Sequence, residues 1–91
     1  MQEQRSPGVP ELLARQVCAF VRELRSADLF KVPGIAETLD WISSLLALNQ
    51  MELVEGPVRD TLGALLKYQD DVLKVGGSEF TRMIKKAQGV S

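Results

Sequence analysis

Ninety-one residues, 45% of them apolar and 25% charged, suit a single small hydrophobic core and exclude a second folded domain. Eleven basic against twelve acidic residues give a net charge of −1, which lacks the cationic footprint for wrapping nucleic acid or an anionic membrane. The absence of histidine and the single Cys18 remove the commonest general base, the usual zinc frameworks and any internal disulfide.

No apolar run approaches the roughly 20 residues of a membrane span, and the opening MQEQRSPGVP lacks a hydrophobic signal core. The chain is therefore expected to be soluble and cytoplasmic, with residues 1–9 forming a flexible N-terminal segment. Pro10 suits the first position of a helix, and Leu12, Leu13, Val17, Phe20, Val21 and Leu24 follow at helical spacing. The pattern predicts an amphipathic helix over residues 10–26. Its charged side, with Arg15, Arg22, Glu23 and Arg25, reads as the solvated face, and Cys18 within VCAFV reads as a small buried hydrophobe.

The connector SADLFKVPG carries Leu29, Phe30 and Val32 ahead of Pro33, and a residue before proline is pushed toward extended backbone. It is expected to form a packed, non-helical strap. Gly34 can then cap a second helix over residues 35–48, with Glu37 near the third position, where a carboxylate complements exposed amides. Ile35, Leu39, Ile42 and Leu46 form one apolar stripe of this helix, and Trp41, Leu45 and Leu48 form another beside it, as a central element would require. Trp41 is expected in the core, with a binding anchor as the alternative.

Asn49 and Gln50 end that helix, and Gly56 and Pro57 prepare a third with Val58, Leu62, Leu65 and Leu66 on its face and with Thr61 and Gly63 giving room for close approach. The run KYQDDVLKV either extends this face or starts a separate final turn at Asp70 and Asp71. Gly76 and Gly77 break the chain; beyond them Ser78 is a candidate cap, and Phe80, Met83, Ile84 and Ala87 recur at helical intervals. A helix so short is marginal in water unless its apolar face docks. No alternating strand pattern occurs, so the expected fold class is all-α, a small bundle of three to four helices over residues 10–75. Residues 76–91 are expected to form a Gly-led tail with room for a short C-terminal helix.

The chemistry on offer is sparse. No hydroxyl has a histidine to activate it, and independent catalysis is not expected. Glu37 and Asp40 lie three apart and share a helix face, which could serve acid and base work or bind a cation; stabilisation of the helix N-terminus by acidic residues in its first turn is the stronger reading. A Gly-led helix start offers free amides to an anion, but no Gly-rich loop followed by Lys and Ser or Thr is present to cradle a triphosphate.

The order of the pieces, namely an amphipathic helix, DLFKVPG, GIAETLDWISSLLAL and TLGALLKYQDDVLKV, resembles the C-terminal lid of MoxR-type AAA+ ATPases. The resemblance spans about residues 10–75, and PGIAETLDW and TLGALLKYQDD are its most specific parts. It implies an all-α lid, part of a longer chain with an N-terminal P-loop domain, which closes over bound ATP and signals nucleotide state to neighbouring subunits of a chaperone-like ring. Implied partners are that P-loop domain, the adjacent ring subunits and a von Willebrand factor A-domain protein. ATP with magnesium would be held mainly by the P-loop domain, with no cofactor expected on this chain alone. Many such lids carry an arginine at the PGIAET position that reaches the γ-phosphate; Ala36, Glu37 and Thr38 stand there instead. The implied nucleotide-facing set is Pro33, Gly34, Ile35, Ala36 and Glu37, with Gly34 and Ile35 packing on the adenine side or at subunit contacts. Pro33 and Gly34 would make the turn tight, and Trp41 and Leu39 would lock the helix into the lid core. The rival expectations are a free-standing helical protein-interaction module and, against the charge balance, a helix-turn-helix DNA binder.

Overall fold

The structure, a computed structural model, describes residues 9–89. It contains five helices, α1 (Glu11–Leu24), α2 (Ile35–Ala47), α3 (Glu55–Leu65), α4 (Gln69–Val75) and α5 (Phe80–Gln88), and no strand occurs among the described residues. The all-α expectation holds, with five helices rather than three to four. The expected flexible segment at residues 1–9 lies outside the described residues except for Val9. No helix among the described residues is long and apolar enough to cross a membrane.

Helix α1 follows directly from its spacing. Leu13, Val17, Phe20 and Leu24 recur every three or four residues and are fully buried. Pro10 sits one residue outside the helix as its N-cap, where its carbonyl accepts the Ala14 N–H at 3.0 Å. Helix α2 packs along α3, and α1 packs along α5, with further contact between α1 and α2. Trp41 is the largest fully buried side chain. Its ring lies 5.3 Å from that of Phe20 at a tilt of 42°, and its Nε1–H donates to Thr61 Oγ1 at 2.8 Å. Thr61 donates its own proton to the Pro57 carbonyl at 2.7 Å. The room expected at Thr61 is thus occupied by a polar relay that satisfies the indole buried against it.

Helix α2 stops at Asn49, which takes left-handed backbone at φ 60° while the Gln50 N–H returns to the Leu45 carbonyl at 3.0 Å. Asparagine tolerates that conformation better than most residues, which explains the stop without a glycine. The following link is pinned at Leu53. Its N–H donates to Oε1 of the buried Gln16 at 2.6 Å, and its carbonyl accepts from Gln88 Nε2 at 2.9 Å.

The extra helix arises where α3 ends. Leu65 and Leu66 are both buried, and a straight continuation would aim Gln69 and Asp70, four residues on, at the same interior. Leu66 and Tyr68 instead take extended backbone, and the restarted α4 buries Asp71 and Val75 while leaving Gln69 and Asp70 outside. Helix α5 carries Phe80, Met83, Ile84 and Ala87 into the same core as α1, so its apolar face is docked. Ser78 does not cap it: the cap position belongs to Glu79, whose side chain accepts from Arg82 Nε at 2.7 Å instead of capping a backbone N–H. Across the α1–α5 seam, the partly buried Glu23 meets the exposed Lys86 at 3.3 Å and Arg82 at 3.8 Å; pairs with solvent-exposed cations contribute about 0–1 kcal/mol each, so packing dominates here.

Candidate functional site

The strap before α2 is held from the far end of the chain. Asp71, on the first turn of α4 and 1% exposed, accepts the N–H groups of Phe30 at 2.8 Å and Lys31 at 3.1 Å. Lys74, one turn on, donates to the Asp28 carbonyl at 2.8 Å, and the Tyr68 ring stands 5.9 Å from that of Phe30. Polar ties therefore fix the strap. Phe30 is 74% exposed and Val32 is also exposed, which corrects the expectation that their side chains pack; only Leu29 lies against the core.

With the strap fixed, Pro33 is buried and Gly34 begins α2. A glycine has no side chain to cap the helix, so the cap works from the other side: Glu37 reaches back and its Oε1 accepts the Gly34 N–H at 3.0 Å. Thr38 adds a bond from its hydroxyl to the Gly34 carbonyl at 2.7 Å. Hydrogen bonding from its own backbone N–H, and then from that of Gly34, holds the Glu37 carboxyl below the usual glutamate value, with the Lys31 and Lys67 ammonium groups adding attraction. Glu37 is thus committed to the helix start and does not form a free pair with Asp40.

Between this helix start and α1 lies a cavity of about 400 Å³, the size of a small-ligand pocket. Helix α2 and its turn contribute Pro33, Gly34, Ile35, Thr38 and Leu39, and α1 contributes Cys18, Val21, Arg22 and Arg25. Of the five sequence-derived candidates, Pro33, Gly34 and Ile35 line the cavity, while Ala36 and Glu37 lie outside its lining. Ile35 is 79% exposed and Leu39 is 58% exposed, so Leu39 does not lock α2 into the core as expected; Trp41 and Leu45 do that. Cys18 is likewise exposed at the cavity edge rather than buried.

Comparison of the chain with protein-family models, curated proteins and solved structures gives no match. The site must be read from its own geometry.

That geometry is an apolar wall with a cationic rim. Arg22 and Arg25, which the sequence pattern assigned to a plain solvated face, stand at the rim; their spacing of three residues places both on one side of α1, and proximity to Pro33 is the signal that only the folded chain reveals. Among the described residues no group of three or more His, Cys, Asp or Glu side chains could hold a metal ion. The cavity offers contact area and positive charge, and its lining places no carboxylate or histidine beside the Cys18 thiol or the Thr38 hydroxyl.

Proposed function

We propose that this chain is the C-terminal lid of a MoxR-type AAA+ ATPase, which helps to close over ATP and couples nucleotide state to subunit contacts in a cytoplasmic, chaperone-like ring. The observation that carries the reading is the uncovered start of α2, where Ile35 and Leu39 stand in water beside a cavity that the chain's own core does not fill. Isolated exposed apolar residues are ordinary. Two on adjacent turns, bordering a cavity and presented by the PGIAETLDW segment that resembles the family, fit a face that another domain covers.

In this reading Pro33, Gly34 and Ile35 form the adenine-side wall, with the phosphates and magnesium held by the P-loop domain. The nucleotide supplies the reacting phosphoryl group; this chain binds, orients and excludes water. Glu37 keeps the helix start formed, and Asp71 keeps the strap in place so that the wall keeps its position. A lid of this kind acts as a two-state element, biased by whichever ligand its wall contacts better.

The free-standing interaction module is the second reading, favoured by the same exposed pair, which would then receive an apolar partner segment. Turnover separates the two. In the polypeptide that includes the P-loop domain, Ile35→Asp is expected to lower ATP turnover at least tenfold without changing lid melting, because the altered side chain is already in water. Unchanged turnover would overturn the lid reading.

A further inference from the structure

We infer that the strap, residues 28–33, and α4 open and close as one unit, so that the Pro33 wall of the α1–α2 cavity is in place only while α4 is docked. The inference goes beyond the reading above and holds whatever occupies the cavity.

Each half of the unit has little of its own to hold it. The strap is non-helical, and it sends only Leu29 and Pro33 inward. Helix α4 has seven residues, too few for a stable helix in water without docking. Of these it buries Asp71 and Val75 and rests Val72 against the core, while Leu73 stays 65% exposed. The extended residues Leu66 and Tyr68 separate α4 from α3, and Gly76 and Gly77 follow it.

What holds each half is the other. Both carboxylate oxygens of Asp71 are taken by the strap, Oδ1 by the Phe30 N–H and Oδ2 by the Lys31 N–H. Lys74 reaches the Asp28 carbonyl, and the Tyr68 ring stands against that of Phe30. Lifting either half away alone breaks these three hydrogen bonds, two of them to a charge, together with the ring contact; moving both halves together keeps them all. Beyond the unit the ties run elsewhere. The Ala27 N–H returns to the Leu24 carbonyl at the end of α1, and the Gly76 carbonyl accepts from Arg59 of α3.

The consequence is a link between two places on the surface. Pro33 ends the strap and lines the cavity, so any molecule resting on that wall stabilises docked α4, and any contact that undocks α4 removes the wall by the same coupling.

The test is native-state hydrogen exchange, read by NMR over a urea series, on the natural chain, Leu29→Ala, Asp71→Asn and the double variant, with circular dichroism to verify folding. In the natural chain the strap amides of Phe30 and Lys31 and the α4 amides of Val72 and Gly76 should share one opening free energy and one urea slope, both below those of Phe20 and Leu24 in α1. Leu29→Ala, made in the strap, should speed exchange of the α4 amides by the same factor as the strap amides, roughly threefold or more. Asp71→Asn should split the unit, with the strap amides exchanging roughly tenfold or more faster than those of α4. In that background Leu29→Ala should act on the strap and no longer on α4. Different opening free energies for strap and α4 in the natural chain would overturn the inference, as would opening of both only together with α1. A response of α4 to Leu29→Ala that survives Asp71→Asn would overturn it too.

Discussion

Replacing Asp71 by asparagine changes little in volume and removes the charge that holds the strap. The carboxylate is almost fully buried and receives two consecutive backbone N–H groups, from Phe30 and Lys31, across forty residues of sequence. Asparagine keeps one carbonyl oxygen for one of these donors and turns an NH₂ group toward the other, so one N–H loses its partner and the remaining bond loses its charge. Hydrogen bonds to a charged group contribute about 1.5–3 kcal/mol and neutral ones about 1 kcal/mol, which gives a destabilisation on the order of 2–4 kcal/mol. For a domain of this length that corresponds to a melting temperature lower by roughly 10–25 °C. Urea unfolding followed by tryptophan fluorescence measures the first quantity, and amide hydrogen exchange locates it: the Phe30 and Lys31 amides should lose protection well before those of α1. A loss below about 0.5 kcal/mol, with both amides still protected, would refute the claim that Asp71 positions the strap.

Two further outcomes follow from the same contacts. Thr61→Val leaves the buried Trp41 N–H without an acceptor and is expected to cost about 1–3 kcal/mol in urea unfolding, while Thr61→Ser should stay close to the natural chain; equal stability of the valine variant would remove the relay from the account. Glu37 titrates lower in the folded chain than unfolded, so its contribution is complete above the ordinary glutamate range and is lost as pH falls through the lowered folded value. Glu37→Gln should therefore flatten the acid limb of the stability–pH curve, and an unchanged limb would show that the cap at Gly34 carries no pH-dependent stability.

The parts of the fold that could be read in the sequence are those where one apolar stripe meets one polar face. Helix α1 and the Phe80, Met83, Ile84 and Ala87 face of α5 are of that kind, and each expected residue on the α5 face is buried. Helix α2 is not, because a helix with two apolar stripes does not say which stripe its neighbours cover. Trp41 and Leu45 went inside, Ile42 and Leu46 lie against the core, and Ile35, Leu39 and Leu48 stayed out, so each stripe is divided between core and surface. The α3–α4 break was open in the sequence because Leu65 to Val75 contains no glycine or proline to announce it. What decides it is the cost of aiming Gln69 and Asp70 at the interior, weighed against two extended residues.

Long-range polar contacts were the least legible. Asp71 reads as an ordinary first-turn acid, and its partners lie forty residues upstream. Gln16 gave a local hint, since it falls on the buried stripe between Leu13 and Phe20, where a polar side chain needs a partner; the sequence does not say that the partner is the Leu53 amide. Arg22 and Arg25 look like any solvated pair until the strap brings Pro33 beside them.

The most direct measurement of the central claim is the mass and ATP turnover of the native polypeptide, captured from its own cells with an antibody raised against this domain. The lid account predicts a longer chain that carries a P-loop domain ahead of α1 and hydrolyses ATP as an oligomer. Capture of a polypeptide no longer than these 91 residues, with no nucleotide hydrolysis associated with it, would contradict the account.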